Sequence, residues 1–431
     1  MNIKSLNRKL NKKFAGRVTA RLSDGCIVLT GELDDWNDVV DAGMTAATPH
    51  SSTHVVNDIV FTAAPEEKMH VPALSDNALE GDRPDVLVIG GGISGCSVAR
   101  ELARYKLNVL LIEKEADLAL GASGRNDGEV HPGVDLSKGS LKHKYIRRAN
   151  HMYEDLCREL DVPFKRTGQY ACFTHKSWLP FVSLYAKWRR DHDGIEDTCI
   201  VMGDEIRKKE PSISADVAFA LSNPSSGSVS PYNLVIAYAE NAVQNGARVS
   251  LNTAVTGMDV SDGMIKAVHT NRGTIYPREV INCAGVYSDV VAQMAQDRFF
   301  SIHPRRGTNS ILDKKTGAAF KTIASAVGPE TPGHAHTKGG GILHTVHDNL
   351  LVGPDAVETP ERENTATNAD SIARVFAKQK IAMPTLTEKD IITYFTGVRA
   401  PTYEEDFQVR KGIFTENILE AAGVQSPGAT A

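Results

Sequence analysis

The run Gly90-Gly91-Gly92-Ile93-Ser94-Gly95 sets glycines at 90, 92 and 95 in a G-x-G-x-x-G spacing. Each has a physical task. Gly90 permits a tight turn off a strand, Gly92 lets backbone approach a pyrophosphate, and Gly95 lets a helix pack close to a sheet. A helix opening at this point offers free N–H groups and the positive end of its dipole to phosphate. Glu113 follows 23 residues after Gly90. A carboxylate there accepts hydrogen bonds from ribose hydroxyls and repels a 2′-phosphate. The motif is weak alone, and a glycine turn without nucleotide is its bland alternative. Context decides, and spacing does not separate FAD from NAD.

Further along lie groups suited to acid–base and anion chemistry. Arginine matches carboxylate or phosphate with its planar fork, and Arg305, Arg306 and Arg399 are the candidates. A surface salt bridge is the alternative for each. His344, in Gly341-Ile342-Leu343-His344, can titrate near neutral pH and is the leading candidate base. His334, His336, His344 and His347 form a histidine-rich stretch. Its acidic partners are not evident, so no metal is expected. The six cysteines contain no CxxC pair, which argues against zinc or an iron–sulfur cluster. They read as reduced, mostly buried thiols of a cytosolic protein.

The elements that must position these groups form an α/β pattern. Val86–Ile89 is a short apolar strand before the glycine turn, and the helix after it buries Cys96, Ala99 and Ala103. Val109–Ile112 is the second strand. A helix over 141–160 carries Tyr145, Ala149, Met152, Leu156 and Leu160 on one face. Strands are predicted over 248–251, 255–260, 265–270 and 274–276, with turns at Asp262-Gly263 and Asn271-Arg272-Gly273. Ahead of this, residues 14–62 read as β-β-α-β: strands 17–22 and 26–30 around Asp24-Gly25, a helix over 35–47, and a strand over 53–62. The basic start MNIKSLNRKLNKKF reads as a solvated first helix, with a membrane-surface anchor as the alternative. The proline-rich segment 65–84 is a linker.

The chain has 431 residues, enough for two or three domains, and a formal net charge of −5, so nothing global points to nucleic acid. No run of about 18 apolar residues marks a membrane span.

Several blocks together resemble the D-amino-acid oxidase-like superfamily of FAD-dependent oxidoreductases. They are the glycine turn, the loop Gly121-Ala122-Ser123-Gly124-Arg125-Asn126-Asp127-Gly128 followed by His131-Pro132-Gly133, the strand end Cys283-Ala284-Gly285, and Ala422-Gly423-Val424-Gln425-Ser426-Pro427-Gly428. The GASGRNxGxxHxG form looks closest to the flavin subunit of anaerobic glycerol-3-phosphate dehydrogenase. PGVDLSKGSLKHKY and ILHTVHDNLLVGPDA look closer to L-2-hydroxyglutarate oxidase. The resemblance implies a Rossmann-like FAD-binding domain with a β-rich substrate domain, covering 85–431. FAD-binding parts would span about 85–165, 215–300 and 385–431, and the substrate part about 166–214 and 301–384. It implies FAD contacts at Gly90, Gly92, Ile93, Ser94, Gly95, Glu113, Lys114, Ala122, Ser123, Arg125, Asn126, Gly128, His131, Ala284, Gly285, Gly353, Gly423, Ser426, Pro427 and Gly428. It places Arg399 in the arginine position that faces substrate, with Arg306 second and His344 near the flavin.

The activity this implies is oxidation of a small anionic hydroxy substrate, glycerol 3-phosphate or a 2-hydroxy acid such as 2-hydroxyglutarate, with hydride passing to flavin N5. Electrons then leave to oxygen, a quinone or a partner protein. An amino-acid or amine oxidase of the same superfamily is the second reading. A truncated, non-catalytic flavin-binding protein is the third, because the chain stops at Ala431 within the stretch that opens the family's last helix. Residues 1–64, with DGCIVLTGELDDW and HVVNDIVF, resemble a BON domain, a family linked to membrane association or ligand binding. A small α+β docking module is the plainer alternative.

Overall fold

The computed structural model describes residues 2–47, 53–65, 67–195, 197–328 and 340–431. Within the N-terminal unit, helix α1 (Ile3–Lys13) precedes strands β1 (Val18–Ser23) and β2 (Cys26–Leu33), helix α2 (Trp36–Ala46) and strand β3 (Val55–Phe61). Strand β2 pairs antiparallel with β1 and parallel with β3. Asp35 caps α2 by accepting the Asn37 N–H at 2.8 Å. The first helix is not merely a solvated appendage. Leu6 and Leu10, four apart on one face, and Phe14 are buried in the core of this unit with Val18, Leu29 and Val40.

The glycine motif sits where the sequence requires it. Strand β4 (Val86–Ile89) lies between β5 (Val109–Ile112) and the strand Glu279–Asn282, all parallel. The sheet has six strands, extended by 248–250 beyond β5 and by 418–422 and 408–411 on the other side. Helix α3 (Ile93–Leu102) follows the turn and buries Gly95, Cys96 and Ala99. Strand Arg248–Ser250 joins this parallel sheet, whereas Val255–Ser261, Met264–Thr270 and Gly273–Ile275 form a separate antiparallel meander. The 65–84 segment is pinned by Asp76 to Arg272 at 3.0 Å and by burial of Leu79.

Helix α4 (Leu141–Glu159) turns a different face inward from the one its large apolar residues suggest. Its buried positions are Lys142, His143, Ile146, Asn150, Tyr153 and Cys157, and Met152 is exposed. Asn150 earns burial by donating to the carbonyls of His131 at 2.8 Å and Ser225 at 3.1 Å. A nine-stranded, mostly antiparallel sheet forms the second layer of the body. Its strands Arg305–Leu312 and Ile391–Arg399 pair along their lengths, with Arg305 opposite Arg399 and Gly307 opposite Gly397. The cysteines carry free thiols, five of them buried and Cys199 partly so. Among the described residues no helix is long and apolar enough to cross a membrane.

Candidate active site

The turn after β4 is built by close contact. Gly90 adopts φ +110°, and a Cβ there would stand 2.4 Å from the Cys283 carbonyl. A Cβ on Gly95 would stand 1.9 Å from the Gly90 carbonyl, so α3 rests directly on the strand end. Ser123 Oγ accepts the Ile93 N–H at 2.9 Å, which ties the 121–128 loop to the first turn of α3. That turn carries no acidic residue. Glu113 accepts N–H groups from Gly91 at 2.6 Å and Glu115 at 2.9 Å, one on each oxygen. Burial pushes its carboxyl up, opposed by those N–H groups. Each oxygen keeps a second lone pair for a hydroxyl. Lys114 pairs with Glu363 at 2.7 Å and lies over the Tyr287 ring.

From this helix end a cleft of about 690 Å³ of empty space, its open mouth included, runs to the large sheet. Ile93, Ala122, Ser123, Arg125, Asn126, Asp127, Glu129 and His131 line one side. Gly307, Asn309, Pro354, Gly397 and Arg399 line the sheet side, and Val424 to Ala429 close a third. Asn126 braces its own loop, donating to Ser123 O at 2.6 Å and accepting the Gly128 N–H at 2.9 Å. Thr430 Oγ1 accepts the His131 N–H at 3.0 Å, fastening the closing loop to the first wall. Residues 426–430, expected to open a helix, form turns.

Arg399 reaches the cleft through the gap left by glycine: a Cβ on Gly307 would stand 2.1 Å from its Nη2. It donates to the Asp355 carbonyl and forms no ion pair among the described residues. Burial, then the neighbouring Arg305, lower its guanidinium to about 10, which leaves it charged at neutral pH. Arg305 is already spent, held by Glu358 at 2.5 Å and Glu405 at 2.7 Å. The ring of His131 faces Glu129, with Nδ1 3.5 Å from Oε1. Glu129 is itself held by Gln169 at 2.8 Å.

Two predicted residues are displaced from this constellation. His344 is buried elsewhere, with Nδ1 2.8 Å from the Phe320 carbonyl and Nε2 3.1 Å from Asp348. Strand Gly341–His344 runs antiparallel to Leu350–Gly353, which sets Gly341 opposite Gly353 at the cleft end and His344 opposite Leu350 at the far end. Arg306 alternates with Arg305 and Gly307 along its strand, so its side chain leaves on the face opposite the cleft-lining Gly307 and Asn309. Of the predicted cofactor contacts, Gly90, Gly92, Ser94, Gly95, Glu113, Lys114, Gly128, Ala284, Gly285, Gly353 and Gly423 stand around the cleft without lining it. His334 and His336 lie outside the described residues. Asp127, Glu129, Asn309 and Gln425 line the cleft and were not foreseen. For Asp127 and Glu129, adjacency to the loop was the available signal.

The glycine cradle, the helix end free of acidic residues and the adjoining cleft fit a flavin dinucleotide. The model of the FAD dependent oxidoreductase family matches residues 85–431. The chain belongs to this family. The flavoenzyme is 34% identical over 345 residues to a glycerol 3-phosphate dehydrogenase of Caloramator mitchellensis, covering 80% of this chain and 70% of that one. It is 28% identical to an L-2-hydroxyglutarate dehydrogenase of Indibacter alkaliphilus, covering 80% and 95%. An FAD-bound L-alpha-glycerophosphate oxidase of Mycoplasma pneumoniae superposes with a TM-score of 0.73 at 25% identity, over 81% of this chain and 91% of that one.

Proposed function

We propose that this flavoenzyme oxidises glycerol 3-phosphate, with a small 2-hydroxy acid such as 2-hydroxyglutarate as the second reading. The single observation that carries the proposal is the pairing, in one cleft, of Arg399, which has no ion pair among the described residues, with His131 backed by Glu129. Arg399 anchors the phosphate or carboxylate. His131 takes the hydroxyl proton at a ring nitrogen, the role first assigned to His344. Bound FAD supplies the hydride acceptor. Gly90, Gly92, Gly95 and Ser123 would hold its pyrophosphate side, with Glu113 at the ribose. The 2-hydroxy acid reading draws on the 28% identity to the hydroxyglutarate dehydrogenase over most of that chain.

The N-terminal unit, whose strands and second helix keep the expected β-β-α-β order after α1, supports a BON-like docking module. The acceptor that reoxidises the flavin is a quinone or a partner protein under this proposal. The free thiols favour a cytoplasmic setting.

The test is anaerobic bleaching of the flavin absorbance. Glycerol 3-phosphate is expected to bleach it, or 2-hydroxyglutarate under the second reading. Bleaching only by amino acids or amines, or by none of these, would overturn the proposal.

A further inference from the structure

Helix α5 (Leu179–Asp193) is turned inside out. Its buried face consists of Val182, Ala186, Arg189 and Asp193. Arg189 bonds Asp193 at 2.7 Å and the carbonyls of Gly133 and Leu136 at 2.7 and 2.8 Å. The helix is held to the body by this polar clamp on the loop that follows His131 and by packing of Val182 and Ala186 against Val134, Phe219 and Leu221. Its larger apolar side chains point away from the protein. Phe181 and Leu184 are each 69% exposed, Trp178 is 56% exposed and Trp188 42%, with Tyr185 at their border. At about 100° per residue they occupy one arc of roughly 120°.

Cations flank this arc. Lys176 and Lys187 are exposed beyond its Leu184 edge, and Lys138, which donates to the His192 carbonyl at 3.1 Å and pairs with Asp193 at 3.6 Å, lies near the C-terminal end of the helix. Asp191 is the one acidic residue exposed between 175 and 192, and it lies 3.4 Å from Arg190. A helix with Trp, Phe and Leu on one face and Lys and Arg beside it lies in the plane of a bilayer interface, its aromatic rings at headgroup depth. A second copy of the chain would bring like charges together across the same face. We propose that α5 is a peripheral docking surface for anionic lipid, holding the flavoenzyme flat on a membrane with the His131 loop directly above the contact. The proposal stands independently of the substrate assigned to the cleft.

The full chain with its flavin is tested by co-sedimentation with vesicles of phosphatidylcholine containing phosphatidylglycerol. Binding is expected, weaker on phosphatidylcholine alone and at high salt. Trp178 and Trp188 are two of the three tryptophans, so tryptophan emission is expected to shift to the blue. Phe181→Glu with Leu184→Glu is expected to weaken binding about a hundredfold, while flavin content and melting temperature stay as in the parent. Lys176→Glu with Lys187→Glu keeps the apolar face and is expected to weaken binding about tenfold. No sedimentation of the parent chain would overturn the proposal, as would equal sedimentation of the Phe181/Leu184 variant. A dimer broken by that variant, without vesicle binding, would overturn it in favour of a second copy.

Discussion

At the scale of single residues, the proposed function gives Arg399 and His131 two tasks that chemistry keeps separate. A half-buried guanidinium with no carboxylate partner among the described residues presents its charge to whatever enters the cleft. Arg399→Ala is expected to lower kcat/KM several hundredfold, chiefly through KM, because a charge-assisted anion contact is worth a few kcal/mol. Steady-state kinetics with the anionic substrate measures this, and an unchanged kcat/KM would remove Arg399 from the site. His131→Asn is expected to lower kcat by about a hundredfold or more. His344→Asn should leave kcat within a few-fold and instead cost about 1–3 kcal/mol of stability, since it breaks a buried pair of contacts. The reverse pattern would restore His344 as the base. That Arg399 and the loop before His131 line one cleft was readable from the sequence, because motif and chemistry agree there. His344 was misplaced because a strand's residues do not reveal which end meets the cleft. Arg306 was misplaced because alternation reverses the face with every step of one residue.

At the scale of elements, the strand–turn–helix around the glycine motif was fully legible, because three steric demands coincide within six residues. Gly95→Val tests them. Its branched side chain would press on the Gly90 carbonyl, already 1.9 Å from a bare Cβ. The helix must shift from the sheet, so purified protein is expected to lose most of its flavin, read as the ratio of absorbance near 450 nm to that at 280 nm. Retention of full flavin would refute the claim that this contact shapes the cradle. Helix α4 was legible in extent but not in orientation. Its inward face carries Asn150 and Lys142, whose burial depends on partners remote in sequence. Apolar periodicity favoured the stripe with Met152 and Leu156, and tertiary hydrogen bonding overrode it.

At the scale of the whole molecule, the N-terminal unit is clamped to the segment that follows Arg399 and to Arg298 and Ser301. The Val55 N–H donates to Glu404 at 2.8 Å, Asn57 donates to the Tyr403 hydroxyl at 2.8 Å, and Arg298 pairs with Asp58 at 2.8 Å. None of these partners is close in sequence, so the unit was readable from pattern while its attachment was not. His54 lies inside this interface, edge-on to Phe299 and 3.2 Å from Arg410. Burial, then Arg410, push its imidazole down from 6.5 to about 4. Glu404, 3.9 Å away, gives little counter-charge, since burial raises its own carboxyl. The folded state thus keeps His54 neutral where the unfolded chain protonates it. The stability this contributes is complete above about pH 6.5 and is lost as pH falls toward 4. Glu405 acts lower. Burial would raise its carboxyl, but Arg305, Lys142 and His303 hold it at about 2, so its contribution is lost only below about pH 4.5. Urea unfolding at pH 7 and pH 5 separates the two windows. Between these values the parent chain is expected to lose about 1–2 kcal/mol more than His54→Gln, after allowance for partial solvent screening. Equal losses would show that His54 does not carry the pH dependence of the docked unit.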